Sequence, residues 1–385
     1  MIFRKTLLFV SLLLVVTACV EVYDIRYTLD ANVITVDGTV TNQRGLTVNL
    51  RTSRSSGASY YSEPLRECTV EVLVGNGSVV LLKETSSGVY SAPENFEGQV
   101  GQTYKLRFKT PSGTRYESDE ERIAEAPPIA KIYHKFNQNG ILERTGNRVL
   151  ASSLDVYVDF NDPGDKKNYY QWRWTDFEDQ RICATCEGGK LDVNTRECVA
   201  ERNSKAIYDY ICETKCWEIY YSNEINVFSD IYSNGRTVTG RLAAKVPFYY
   251  IGPGYPIEGA LVEIQQYAIS PSAHDYYKLL SDQAQNTGNL TDTPPAAIIG
   301  NIHNVNDPTE KIAGYFGAAG VSKSRLFIDK RPYFSDAFKY LTLGRNPVRE
   351  PDTPPMPPDF IFRPPFALCR ASANRTPIQP EGWIP

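Results

Sequence analysis

Histidine and methionine are nearly missing from this chain: 385 residues hold only His134, His274 and His303, and two methionines. That leaves little material for a histidine-rich metal centre or for a histidine-based nucleophile pair. Two hydrolytic signatures are missing as well, a Gly-x-Ser-x-Gly elbow and a His-Glu-x-x-His helix. No apolar run beyond residue 18 approaches the ~20 residues that cross a bilayer as a helix. There is no basic excess either. Lys+Arg 41 against Asp+Glu 45 gives −4, which argues against nucleic acid or anionic lipid as the main partner.

The one long apolar segment opens the chain. Arg4 and Lys5 precede an almost wholly apolar stretch from 6 to 16, and Val16-Thr17-Ala18-Cys19 closes it. A basic patch, a short greasy core and small residues form a secretory leader, too short to span a membrane. The closing tetrad resembles the bacterial lipobox, in which the cysteine is acylated and becomes the new N-terminus. Residues 1–18 are therefore expected to be removed and Cys19 lipidated, several acyl chains holding an otherwise soluble fold at a membrane.

The remaining residues, 19–385, suffice for two cores of ordinary size. Tyr 25, Gly 26 and Pro 25 favour short strands and many turns. Period-two alternation predicts strands at 33–40, 46–51, 68–74, 79–83 and 104–109, with turns at Asn76-Gly77 and Ser112-Gly113. Pro127-Pro128 marks a boundary. Beyond it, 154–160 and 168–174 read as a hairpin about Asn161-Asp-Pro-Gly164, followed by strands at 225–231, 237–246 and 260–269. One helix is predicted: Ser270 caps it, Pro271 fits its first turn, and Ala273, Tyr277, Leu280 and Ala284 share a face, with His274 exposed. The expected architecture is mainly β, with two β-sandwich domains in tandem, 19–126 and 127–385. The second would carry the short helix, a disulfide-stapled insertion at about 181–216 and a proline-rich tail, 351–385.

Setting Cys19 aside leaves Cys68, Cys183, Cys186, Cys198, Cys212, Cys216 and Cys369, an odd number. Cys68 begins an alternating strand and is expected to stay an unpaired buried thiol. Export favours disulfides among the other six, which allow 15 pairings. A zinc site in the 183–216 block would have no histidine, and a redox role for Cys183-Ala-Thr-Cys186 would lack the helix that activates such a thiol. Asp159, Asp162 and Asp165, spaced by three, could gather calcium, but Asn-Asp-Pro-Gly makes a good turn without metal. An acid pair such as Glu201 and Asp209 could be drawn from any chain this rich in carboxylates. No catalytic residue, metal or cofactor is therefore expected. Aromatic residues recur, and Trp172, Trp174, Tyr249, Tyr250 and His303 are the candidates for ligand binding, since adjacent strand residues face opposite sides and exposed rings stack on sugars or cover a partner.

Several motifs in order then resemble one known family. They are Asn161-Asp-Pro163, Asn168-Tyr-Tyr170, Tyr276-Tyr277, Asp292-Thr-Pro-Pro295, Ile299-Gly-Asn-Ile302, Gly314-Tyr-Phe316, and a late cysteine followed by proline and Trp383. Together they resemble the Bacteroidota lipoproteins catalogued as domain of unknown function 4249. The N-terminal part, with Gly88-Val-Tyr90 and Gly101-Gln-Thr-Tyr104, is similar to carboxypeptidase-regulatory-like or immunoglobulin-like sandwiches. The resemblance implies an outer-membrane lipoprotein beside a TonB-dependent transporter, without an assigned reaction. The expected role is an accessory one, binding a small ligand, glycan or peptide, from the cell surface or alternatively from the periplasmic face. It also pairs Cys216 with Cys369, since both flank features of the family pattern, and leaves four cysteines for the insertion. A surface hydrolase would instead show a deep pocket with convergent acids. A structural adhesin would expose a large apolar patch.

Overall fold

Residues 33 onward alternate at once, with Ile34, Val36 and Val40 buried while Thr35 and Asp37 are exposed, as a half-wetted strand requires. The computed structural model describes residues 33–56, 59–143, 149–182, 189–191, 194–195, 198–200, 214–250, 259–285, 298–333, 343–344 and 369–384. The leader, Cys19, Cys183, Cys186, Cys212, Glu201, Asp209 and Asp292–Pro295 lie outside them.

Nine strands come first: β1 (Ile34–Thr41), β2 (Thr47–Ser56), β3 (Ser59–Pro64), β4 (Thr69–Val74), β5 (Val79–Ser86), β6 (Val89–Ser91), β7 (Thr103–Lys109), β8 (Arg115–Ser118) and β9 (Glu121–Arg122). The hairpins at Asn76-Gly77 and Ser112-Gly113 form as expected, each with its glycine at positive φ. Next come β10 (Ile129–Glu143), β11 (Val149–Asn161), β12 (Tyr169–Ile182), β13 (Gly189–Leu191), β14 (Cys198–Ala200), β15 (Thr214–Tyr221), β16 (Asn226–Ser229), β17 (Thr237–Pro247), β18 (Tyr249–Tyr250) and β19 (Gly259–Ile269). The helix α1 (Pro271–Gln285), β20 (Ile302–Asn304), β21 (Ala313–Asp329), a 3₁₀ turn (Arg331–Tyr333), β22 (Leu343–Gly344) and β23 (Arg375–Thr376) complete the order.

The mainly-β expectation holds, but the sheet does not divide after residue 126. One continuous sheet runs β20-β8-β7-β4-β5-β6-β2-β1-β21-β19-β12-β15-β23. β21 joins its halves: residues 313–319 pair in parallel with β1, and residues 320–329 pair antiparallel with β19. The first core accordingly unites Val36, Leu50, Val72 and Phe108 with Ile302 and Phe316 from far downstream. A separate sheet, β10-β11-β17, lies over the second core, where Leu154, Val156 and Phe160 share one cluster with Trp172, Val262 and Ile264. Each such side chain, fully buried, contributes about 1.5–3 kcal/mol.

Two local expectations are corrected. β11 and β12 do not form a hairpin. β11 pairs with β10 and β17, and β12 with β15, β16 and β19, so the Asn161–Gly164 turn carries the chain from one layer to the other. His274 is buried, its ring 4.9 Å from that of Tyr169, because α1 presses this side against β12. The rest of the helix follows the pattern in part. Ser270 Oγ accepts from the Ala273 N–H at 3.1 Å, Ala273 and Tyr277 enter a core, and Ala284 stays exposed.

The C-terminal segment is fastened from three sides. Cys216 and Cys369 form a disulfide, β23 adds to the edge of β15, and Trp383 packs edge-on against Trp217 and Phe327. Cys68 is the free cysteine among the described residues, and burial raises its thiol pKa. β12 and β15 pair antiparallel as far as Ile182 and Thr214.

Two features of the junction are testable. Gly314 sits at φ +95°, and a Cβ there would lie 1.8 Å from the Val36 carbonyl oxygen, inside the β1–β21 pairing. Gly314→Ala should therefore lower stability by about 3 kcal/mol or more, combining backbone strain with overpacking. Urea unfolding would measure it, and a loss below about 1 kcal/mol would contradict this view of the junction. At the same junction Glu121 is buried, accepting from Tyr315 Oη and from Ser272 Oγ (3.2 Å) on Oε1, with no partner for Oε2 among the described residues. Burial pushes its carboxyl above the usual range, outweighing those hydrogen bonds. The folded protein thus keeps a proton that the unfolded chain has already released. Stability supplied by that proton is present below the ordinary glutamate pKa and is lost as pH rises through the raised one. Glu121→Gln should raise the melting temperature relative to the parent more at pH 8 than at pH 5. An equal shift at both values would refute the assignment.

Candidate functional site

Strand β7 alternates without a break: Tyr104, Leu106 and Phe108 are buried while Lys105, Arg107 and Lys109 stand on the other face. Register then builds cross-strand rows on that face. His303 of β20 lies opposite Glu117 of β8, which lies opposite Arg107, which lies opposite Glu71 of β4. Arg107 donates from Nε and Nη2 to Glu71 Oε2 at 3.0 and 2.5 Å, and Lys105 pairs with Glu117. His303 Nδ1 stands 3.8 Å from Asp119 Oδ1 with its ring about half exposed. Such pairs, open to water, set the pattern of charge more than they stabilise.

The next row differs. Lys109 faces Arg115 directly, and neither makes an ion pair among the described residues. Like charges in opposed positions repel by some tenths of a kcal/mol. Thr69, Glu71, Arg107, Lys109, Arg115, Glu117 and Val305 line a shallow groove of about 520 Å³ here. Its Lys109 end is positive although the whole chain is acidic.

Of the residues singled out from sequence, His303 alone belongs to this face. Trp172 is a core residue, 1 % exposed. Its Nε1 donates to Gln266 Oε1 at 3.0 Å, and the Gln266 amide donates to the Pro127 carbonyl at 2.9 Å, fixing the proline boundary to the sheet. Trp174 is 6 % exposed, so neither indole is a platform for a ligand, because both point between the two sheets. Tyr249 and Tyr250 form β18, paired with Leu343 and Gly344, and their side chains lie outside the described residues. Cys198 belongs to a small ladder with Leu191. The expected Cys216–Cys369 bridge is present. Arg107, Lys109, Arg115 and Glu117 were missed. The polar half of YKLRFK was visible, but its neighbour His303 lies nearly two hundred residues downstream.

Several family motifs acquire physical roles. Asn301 donates from Nδ2 to the Phe316 carbonyl at 2.8 Å and accepts the Phe316 N–H at 2.9 Å, so one amide replaces a strand partner. Gly300 passes so close to Gly314 that a Cβ would overlap its carbonyl. These motifs hold the junction together.

Comparison with known proteins adds the following. No curated protein matches. Among solved structures, a DUF4785 family protein from Legionella pneumophila is similar at 8 % identity, over 61 % of this chain and 52 % of that one, with a TM-score of 0.18. The chain thus spans about half the length of that protein, and a likeness so slight carries no argument. A family model described as Domain of unknown function (DUF4249) matches residues 20–325. With most of its length covered by that model, the chain belongs to the DUF4249 family.

Proposed function

We propose that this protein is a lipid-anchored recognition component of the outer membrane in a Bacteroidota cell, binding a glycan or peptide beside a TonB-dependent transporter. The N-terminal lipobox supports the anchoring, and the family resemblance supports the transporter. The observation that carries recognition is the open groove ending in Lys109 and Arg115, two cations in register that make no ion pair among the described residues. A shallow, ion-paired sheet face suits an extended polar chain or a partner surface. The ligand best matched to the unpaired cations bears carboxylate or other anionic groups, in a uronic-acid-type glycan or an acidic peptide.

Anchoring is tested on the mature N-terminus. Mass spectrometry should find an acylated Cys19 and no residues 1–18, and Cys19→Ala should move the protein from the membrane to the soluble fraction. A bare sulfur, or a leader left uncut, would remove the anchor from the proposal. Recognition is tested separately with the double variant Lys109→Glu/Arg115→Glu. Each residue is exposed, so the melting temperature should hold within a few degrees, while binding to acidic glycans and peptides on an array should fall at least about tenfold. Undiminished binding by the folded variant would place recognition elsewhere.

A further inference from the structure

Two connections carry the chain between the same two layers, residues 162–168 from β11 to β12 and residues 230–236 from β16 to β17. They meet glycine to glycine, for a Cβ on Gly164 would lie 2.9 Å from the Gly235 Cα. At this meeting Asp162 is 5 % exposed and Asp230 is 0 %. Tyr170 Oη donates to Asp162 Oδ1 at 2.6 Å, the Gly235 N–H to Asp162 Oδ2 at 3.1 Å, and the Asn168 N–H to Asp230 Oδ2 at 2.8 Å. The family motifs Asn-Asp-Pro and Asn-Tyr-Tyr are both used here.

What remains is unbalanced. Burial, with the charge of nearby Asp230 adding to it, pushes Asp162 above its ordinary range. Among the described residues Asp230 Oδ1 is enclosed without a hydrogen-bond partner, and the same holds for Ser233 Oγ in the same turn. Neither aspartate makes an ion pair among the described residues. Two adjacent carboxylates removed from water without a cation are costly, and a buried acceptor left unmatched adds about 1–3 kcal/mol.

We propose that Asp162, Asp230 and Ser233 form a calcium site that clamps the 162–168 connection to the 230–236 turn. The donors are all hard oxygens, and calcium accepts irregular oxygen sets completed by carbonyls and water. This differs from the spacing-of-three set in the sequence. Asp159 is directed elsewhere, accepting the Gly240 N–H at 2.7 Å, and Asp165 is exposed. Asp162 finds its companion on another connection.

The test uses the mature chain with its disulfides intact, melted at pH 7.5 in calcium or in EDTA and titrated with terbium, whose luminescence Tyr170 would sensitise. Calcium should raise the melting temperature by a few degrees, and Asp230→Asn and Asp162→Asn should each abolish that rise. Ser233→Ala keeps both carboxylates and guards against a mere folding defect. It should weaken terbium binding about tenfold while melting like the parent in EDTA. Absence of both a calcium shift and a terbium signal would overturn the site. So would Asp230→Asn raising the melting temperature equally in calcium and EDTA, for the two carboxyls would then simply share a proton.

Discussion

Everything in this architecture leans on the parallel pairing of residues 35–41 with residues 313–319. Parallel neighbours need a crossover, and here the crossover is nearly the whole protein. The first core cannot close until Ile302, Ile312 and Phe316 arrive, and the far half of the continuous sheet, from β19 onward, is bonded to the near half through the later part of the same strand. Asn42 reinforces the handover just past the end of β1, accepting the Val321 N–H at 2.6 Å where β21 changes partners. The halves are therefore joined through one strand, by a contact of very long sequence separation.

That dependence explains which strands could be read from sequence. β1, β4 and β7 each have one wet face, so polar and apolar residues alternate and the period is plain. β21 begins Ala-Gly-Tyr-Phe-Gly-Ala-Ala-Gly and is buried on both faces across residues 314–321, which erases the alternation and invites small residues instead. The central strand of the fold was the least legible. The supposed β11–β12 hairpin failed for the complementary reason. Asn-Asp-Pro-Gly is a strong local turn, but local chemistry does not say which strand the chain meets next.

The candidate site divides along the same line. The cationic half of β7 and the lone His303 were both visible, but only register places them on one face. Trp172 and Trp174 misled because an aromatic residue signals burial and recognition equally. In this case burial won: Trp172 stacks near Phe160 and Tyr170, and Arg241 lies 5.0 Å from the Trp172 ring, so its surface is already used. The Cys216–Cys369 bridge was one choice among 15 pairings, suggested by the family features that both cysteines flank; spacing alone does not select it.

If Cys19 carries the acyl chains, the chain between it and Val33 sets the working range of the groove. Thirteen residues intervene, reaching at most about 45 Å when fully extended. On the proposed anchoring, a transporter beside the protein would be met at high effective concentration. The character of the exposed face fits that regime. Ion pairs open to water exchange readily, and the exposed Lys109 and Arg115 would steer anionic partners while adding little to their residence time. Recognition of this kind needs a rigid platform. Placing the charged residues on β4, β7 and β8, backed by Phe108, Leu106 and Tyr116, supplies one from backbone pairing alone.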